Sequence, residues 1–298
     1  MRLLRWLSAA ASALVVASFV ALVVAVLALG VPRFSRDFFT LPPEEGLASG
    51  GILPAIVGTL ALVAMVGLIT VPVGVLGGIY LAAFSDERSL TGRAMRWSVS
   101  RLAGLPAIVY GLFGLGFFVL GVGQQLDRWF SGSNLVYGQP AVVWAGLTMA
   151  AYTLPVVVSS TERALGEVPP NHRRAGRALG LGPWDAVRFG VLPLVGRGVL
   201  TGALVAVSRA VGEVAPIMFT GVAYFAPSLP LEPSDQFMEL GYHVFVLATQ
   251  SPDVEMTKPN LYATMAVLLL VTLALNGTVL WIRTRAGPGG RPRPRGTR

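Results

Sequence analysis

At 298 residues, with 54% apolar and 13% charged side chains and a positive mean hydropathy, the chain is too apolar for a soluble core and reads as a polytopic membrane protein. It has no cysteine, which excludes disulfides, thiolate catalysis and cysteine-ligated metals. Its single lysine, Lys258, lies in no G-x-x-x-x-G-K-[ST] pattern, so it is no P-loop ATPase. The net charge of +8 raises nucleic acid as a partner, but the charges are distributed as membrane topology requires, and no nucleic-acid role is expected.

Arg2 and Arg5 precede an apolar run from Trp6 to Val31. That run is well beyond a signal-peptide core of roughly 7–15 residues, so residues 1–31 are an N-terminal transmembrane helix. Residues 32–51, with Pro42-Pro43 and Glu44-Glu45, form a loop in which Ser49 is a plain loop serine. Residues 52–283 carry five more helices. The run Ile52–Ser85 would reach about 50 Å as a helix against a hydrocarbon core of about 30 Å, so it overshoots, tilts or breaks near Pro72, Gly74, Gly77 and Gly78. Asp86–Arg101 is a short polar loop. Leu102–Gly123 is the third span, with Gly104, Gly111, Gly114 and Gly116 permitting close helix approach. Pro140–Ser160 is the fourth, with Pro155 as a bend point. Gly198–Gly221 is the fifth and Asn260–Trp281 the sixth, separated by an acidic loop, Val222–Pro259, of some amphipathic character. The Pro/Gly/Arg-rich tail 284–298 is expected to be disordered and cytoplasmic.

Arginine and lysine placement orients these spans. Eighteen of the 23 fall on the side holding both termini, Asp86–Arg101 and residues 161–197, whereas nine of the 15 acids fall on the other. By the positive-inside rule both termini are cytoplasmic and residues 32–51 extracytoplasmic.

The stretch Thr161–Arg197 is the distinctive cytoplasmic segment. Pro169-Pro170 stops any helix from running through. Asn171 is a candidate N-cap for a short helix to Leu179, with Ala175, Ala178 and Leu179 on one face. Gly180 suits a left-handed C′ position, Pro183 a first helical position, and Leu192-Pro193 a stop. Two readings stay open, an ordinary basic loop and a folded elbow whose apolar face docks a partner.

The fifth span carries Arg209 and Glu213 at i,i+4, near mid-depth. Such groups either form a neutralised pair that fixes packing or line a polar route. Arginine holds oxyanions through forked charge-assisted hydrogen bonds, and a carboxylate beside it favours an oxyanion that still carries a proton. The histidines His172 and His243 fall on opposite sides of the membrane, which precludes a shared metal. There is no H-E-x-x-H or G-x-S-x-G, so neither catalytic nor metal-ligating residues are expected.

The segment resembles the cytoplasmic loop of binding-protein-dependent ABC importer permeases, E-A-A-x-x-x-G-x9-I-x-L-P. Arg174-Ala175-Gly176, Gly180 and Leu192-Pro193 align with it, with Arg174 where the pattern has Glu and Gly190 where it has Ile. Within that group, the runs Gly51–Leu60, Leu102–Gly114, Thr161–Leu165 with Val168–Pro170, Ser208–Pro216 and Phe219–Gly221 resemble the A-type phosphate permease (PstA-like) family, over nearly the whole chain. The resemblance implies an all-α type I ABC importer permease fold in a bacterial cell membrane, with six transmembrane helices and a cytoplasmic coupling helix. It implies a C-type permease as heterodimer partner, a cytoplasmic ATPase dimer that alone binds ATP and magnesium, an extracytoplasmic phosphate-binding protein, and membrane lipid around the spans. The chain itself would hold no cofactor and be no enzyme. Asn171, Arg174, Ala175, Gly176, Leu179 and Gly180 would couple to the ATPase, and Arg209 and Glu213 would line the phosphate path. The alternatives are a permease for molybdate, sulfate or polyamines, or, in a different class, an ion-gradient-driven secondary transporter. The latter is disfavoured by the scarcity of membrane acids and the lack of an inverted repeat.

Overall fold

Long unbroken apolar runs leave the backbone only the helix as a way to satisfy its own N–H and C=O groups in hydrocarbon. A computed structural model describes residues 2–285 except 45, 46, 48, 87, 131–134, 170, 173–175, 177, 179 and 252, so the tail 284–298 lies almost wholly outside the described residues. Among the described residues, six helices are long and apolar enough to cross a membrane: Leu4–Arg33, Leu53–Phe84, Ala107–Phe130, Val142–Gly166, Pro183–Ala210 and Val254–Ile282. The named helices are α1 (Arg2–Gly30), α2 (Arg36–Thr40), α3 (Leu53–Ile79), α4 (Leu90–Leu102), α5 (Ala107–Phe113), α6 (Gln124–Phe130), α7 (Val142–Gly166), α8 (Leu192–Ala210), α9 (Leu240–Thr249) and α10 (Val254–Arg285). Wider π-helical turns extend α3 over Tyr80–Phe84, join α5 to α6 over Gly114–Gly123, and lead into α8 over Ala186–Val191.

The number and order of spans agree with the sequence expectation; several boundaries do not. The second span passes Pro72 without a break. The supposed polar loop Asp86–Arg101 is mostly helix α4, capped by Ser89, whose Oγ accepts from Gly92 N at 3.0 Å. The fifth span starts at Pro183 and ends at Ala210, not Gly198–Gly221. Leu192-Pro193 is therefore no stop. Pro193 lies in the first turn of α8, and the preceding π turn widens the helix where the ring would crowd the carbonyl one turn back. At the far end the helix gives way to successive turns, among them Ile217 N to Val214 O and Thr220 N to Ile217 O, both 3.1 Å. Pro216 supplies no N–H there and biases Ala215 away from helix. Thr161–Gly166 and Pro183–Arg197, assigned to the coupling loop by sequence, belong to spans, leaving 167–182 as the connection.

The chain divides into two compact units. The first takes the chain up to residue 59 together with 223–231 and 237–271. Its core gathers Phe38, Ile52, Ala55, Met238, Leu240, Ala263 and Val267. Buried Asn260 accepts from Arg33 Nε at 3.0 Å and donates to Leu47 O at 2.9 Å, tying the 32–51 loop to α10. Glu239 opens α9 as its N-cap, accepting from Tyr242 N at 2.8 Å. One turn on sits His243. Both side chains are buried, with Glu239 Oε1 and His243 Nδ1 lacking hydrogen-bond partners. At ten residues α9 is too short to cross a bilayer. Burial pushes the Glu239 carboxyl up to about 7, against the pull of the Gly241 and Tyr242 N–H groups and the Thr59 hydroxyl, and holds His243 down to about 4.

The second unit takes 60–222, 232–236 and the chain from 272. Its centre is α7, the span with 61% of its apolar window buried against 11–28% for the others, so the others keep more surface for lipid or a partner. On α7, Glu162 pairs with Arg96 of α4 at 2.6 Å, and the same guanidinium donates to Leu81 O at 2.5 Å. The pair is about a quarter exposed, so its coupling is modest. A double-mutant cycle of Arg96→Gln and Glu162→Gln, read by thermal unfolding in detergent, should give about 0.5–1 kcal/mol of coupling. Strict additivity would show that the pair contributes nothing.

Candidate functional site

Two constructions in the second unit concentrate the polar chemistry. The first is the elbow between α7 and the fifth span. After α7, Val168 turns inward, its N–H bonded to Leu165 O at 3.2 Å. Asn171, His172, Gly176 and Ala178 are helical. Gly180 stands at φ +78°, the left-handed conformation expected of it, where any side chain would be strained. Leu181 N donates to Gly176 O at 3.1 Å, the six-to-one bond of a Schellman ending, so the chain reverses within two residues. Pro183–Asp185 then starts the next helical segment, with Ala186 N bonded to Gly182 O at 2.9 Å.

The reversal lays the short helix against the start of the fifth span. A Cβ on buried Gly176 would stand 3.0 Å from the Ala186 Cβ, so only glycine allows this approach without displacement. Beneath lies an apolar cluster of Ile79, Leu165, Val168, Val187, Val191 and Val199, drawn from the second, fourth and fifth spans and the elbow. Trp184 stacks on Phe84, with centroids 6.4 Å apart. The elbow is thus bolted to three spans at once, while Leu181, Trp184 and Phe189 stay exposed. Of the six residues expected to couple to a partner, Asn171, Gly176 and Gly180 sit in this turn. Arg174, Ala175 and Leu179 lie outside the described residues.

The second construction is where α8 ends. Arg209 is the penultimate residue of α8 and Glu213 stands beyond its end, so the two do not share a helix face as their spacing suggested. Ion pairs form at Arg96–Glu162 and Glu255–Lys258, and Arg209 and Glu213 form none with each other. Tyr152 of α7 lies beside both. Its hydroxyl donates to Glu213 Oε1 at 3.0 Å, and the Arg209 guanidinium acts on it electrostatically. Tyr110 of α5 packs edge-on against the Tyr152 ring at 5.4 Å, its own hydroxyl donating to Leu102 O at 2.9 Å. Gly111 lets the turn after α8 come close, since a Cβ there would stand 2.7 Å from Ala215 O. Arg209 is exposed and Glu213 half-buried, so a cation, an acceptor and a hydroxyl donor converge on an accessible spot. This arrangement can bind an oxyanion by charge and recognise a proton on it. Tyr152 was not expected from sequence; a lone tyrosine in an otherwise apolar stretch of the fourth span was the available signal.

Residues 74–288 match the family described as binding-protein-dependent transport system inner membrane component. The chain belongs to that family. The permease is similar to the probable ABC transporter permease protein YqgI of Bacillus subtilis, at 29% identity over 287 residues, covering 92% of this chain and 91% of that one. It is 32% identical over 256 residues to the phosphate transport system permease protein PstA 2 of Mycobacterium bovis, covering 85% and 77%. Among solved structures, a bacterial ABC transporter involved in the import of the acidic polysaccharide alginate aligns with a TM-score of 0.59 at 15% identity, over 94% of this chain and 95% of that one. The permease therefore has the type I ABC importer fold, as the resemblance in its motifs implied.

Proposed function

We infer that this chain is the membrane permease subunit of an ATP-driven importer of inorganic phosphate. The similarity to phosphate permeases across most of the chain carries this reading, and the Arg209–Tyr152–Glu213 cluster supports it chemically. Arg209 would hold the anion. Glu213 would accept a hydrogen bond from a protonated oxyanion, which phosphate offers near neutral pH and sulfate does not. Tyr152 would hold Glu213 in position between transits. The partners would be a C-type permease, an ATPase dimer that binds ATP and magnesium, and an extracytoplasmic phosphate-binding protein. Both termini and the elbow would face the cytoplasm, in keeping with the arginine bias.

In this reading the ATPase grips the exposed side of the elbow, and the cluster beneath it passes the movement to three spans. Tight packing transmits displacement rather than absorbing it. Gly176→Val tests the elbow. Overpacking of about 1–3 kcal/mol at Ala186 should lower ATP-driven uptake about 5- to 100-fold while ATP hydrolysis by the assembled complex persists. Unchanged uptake would remove the elbow from the mechanism. The function itself is tested by uptake of labelled phosphate into energised vesicles with and without this subunit, with sulfate and molybdate as competitors. Uptake should require the subunit and ATP, and resist both competitors. Displacement by molybdate or sulfate at equal concentration would reassign the substrate, and uptake driven by an ion gradient without ATP would reassign the class.

A further inference from the structure

Helix α4 joins the second and third spans, so it lies at a membrane surface whichever way the chain is oriented. One side of it is fixed to the protein: Gly92 is buried, Arg96 is bonded to Glu162 and Leu81 O, and Val99 is half-buried. The opposite side faces away from the chain and carries Leu90, 82% exposed, and Trp97, 62% exposed. Arg93 and Arg101 lie one turn before and after Trp97, and the Arg101 guanidinium sits over its indole at 5.6 Å. An apolar strip edged by guanidinium groups, with a tryptophan between them, is the pattern of a helix lying in the headgroup layer.

We propose that α4 is an interfacial helix that binds anionic phospholipid, with Leu90 and Trp97 in the outer acyl region and Arg93 and Arg101 on headgroup phosphates. Two observations single out lipid as the occupant. The strip is continuous with two membrane spans, and every charge on α4 itself is positive: Arg93, Arg96 and Arg101. A cytoplasmic leaflet rich in acidic lipid is complementary to that charge. Because Arg96 fixes the inner side of α4 to α7, bound lipid would brace the fourth span against the bilayer.

The chain has no cysteine, so Ser98→Cys gives a single labelling site on the exposed side of α4. The full-length chain, labelled there with an environment-sensitive fluorophore, is reconstituted into phosphatidylcholine vesicles containing phosphatidylglycerol, with one or the other lipid brominated. Quenching by both is expected, at a depth of about 5–10 Å, and quenching by brominated phosphatidylglycerol should exceed that by phosphatidylcholine about two- to fivefold at equal mole fraction. That preference should fall to about one in Arg93→Gln/Arg101→Gln. A label that neither lipid quenches overturns the proposal. So does equal quenching by both lipids in the otherwise unmodified chain, or shielding that develops only when the importer's ATPase is added, which would make the face a protein contact.

Discussion

Replacing Arg209 with glutamine should cut phosphate uptake by about 10- to 100-fold, through loss of a charge-assisted hydrogen bond of roughly 1.5–3 kcal/mol. Arg209→Lys should recover only part of it, since an ammonium keeps the charge and lacks the fork. Tyr152→Phe removes the hydroxyl that donates to Glu213, and should lower uptake by about 3- to 10-fold. Glu213→Gln is the diagnostic change. The amide keeps the shape but no longer offers a charged acceptor, so phosphate uptake should fall and discrimination against sulfate should narrow. Transport kinetics for both anions in vesicles check all four variants. If Glu213→Gln leaves phosphate uptake and the sulfate ratio unchanged, the carboxylate plays no part in recognition. If Tyr152→Phe matches the unmodified protein, the hydroxyl plays no part in positioning Glu213.

Glu239→Gln should stabilise α9 and its surroundings at pH 8 and leave them nearly unchanged at pH 4.5. The carboxyl ordinarily titrates at 4.5 and is pushed up to about 7 by burial. Below pH 4.5 it is neutral whether the region is folded or not, and burial carries no ionic penalty. Between pH 4.5 and 7 the unfolded chain sheds the proton first, so folding loses stability as pH rises, reaching roughly 3 kcal/mol above pH 7. The substituted amide cannot ionise, and its carbonyl can still accept from Tyr242 N. His243 runs the other way: held down to about 4 from 6.5, it penalises folding as pH falls through that window. In the unmodified chain the two trends offset each other between about pH 4.5 and 6.5. Glu239→Gln should expose the histidine trend alone, with stability rising from pH 4 to 6.5 and then level. Hydrogen exchange of residues 240–249, corrected for intrinsic rates, should show about a hundredfold gain in protection at pH 8. A variant no better protected than the parent at pH 8 would mean that water or a cation already satisfies the carboxylate.

The six spans, their order and the elbow's glycine turn were legible in the sequence because each rests on local chemistry. Apolar length demands a spanning helix, paired prolines stop one, and a reversing turn wants a residue without a Cβ, as Gly180 shows at φ +78°. Local rules also misled. They read Pro193 as a terminator although a π turn carries the helix past it, and they read Asp86–Arg101 as loop because its polar side chains hid a capped helix. What only tertiary structure decided were the meetings between distant positions: Tyr152 bonded to Glu213, Gly176 seated on Ala186, and Arg96 paired with Glu162. No pattern of neighbours along the chain specifies such contacts, because each depends on which helix face packing turns inward and on where a span ends, and both are set by partners tens of residues away.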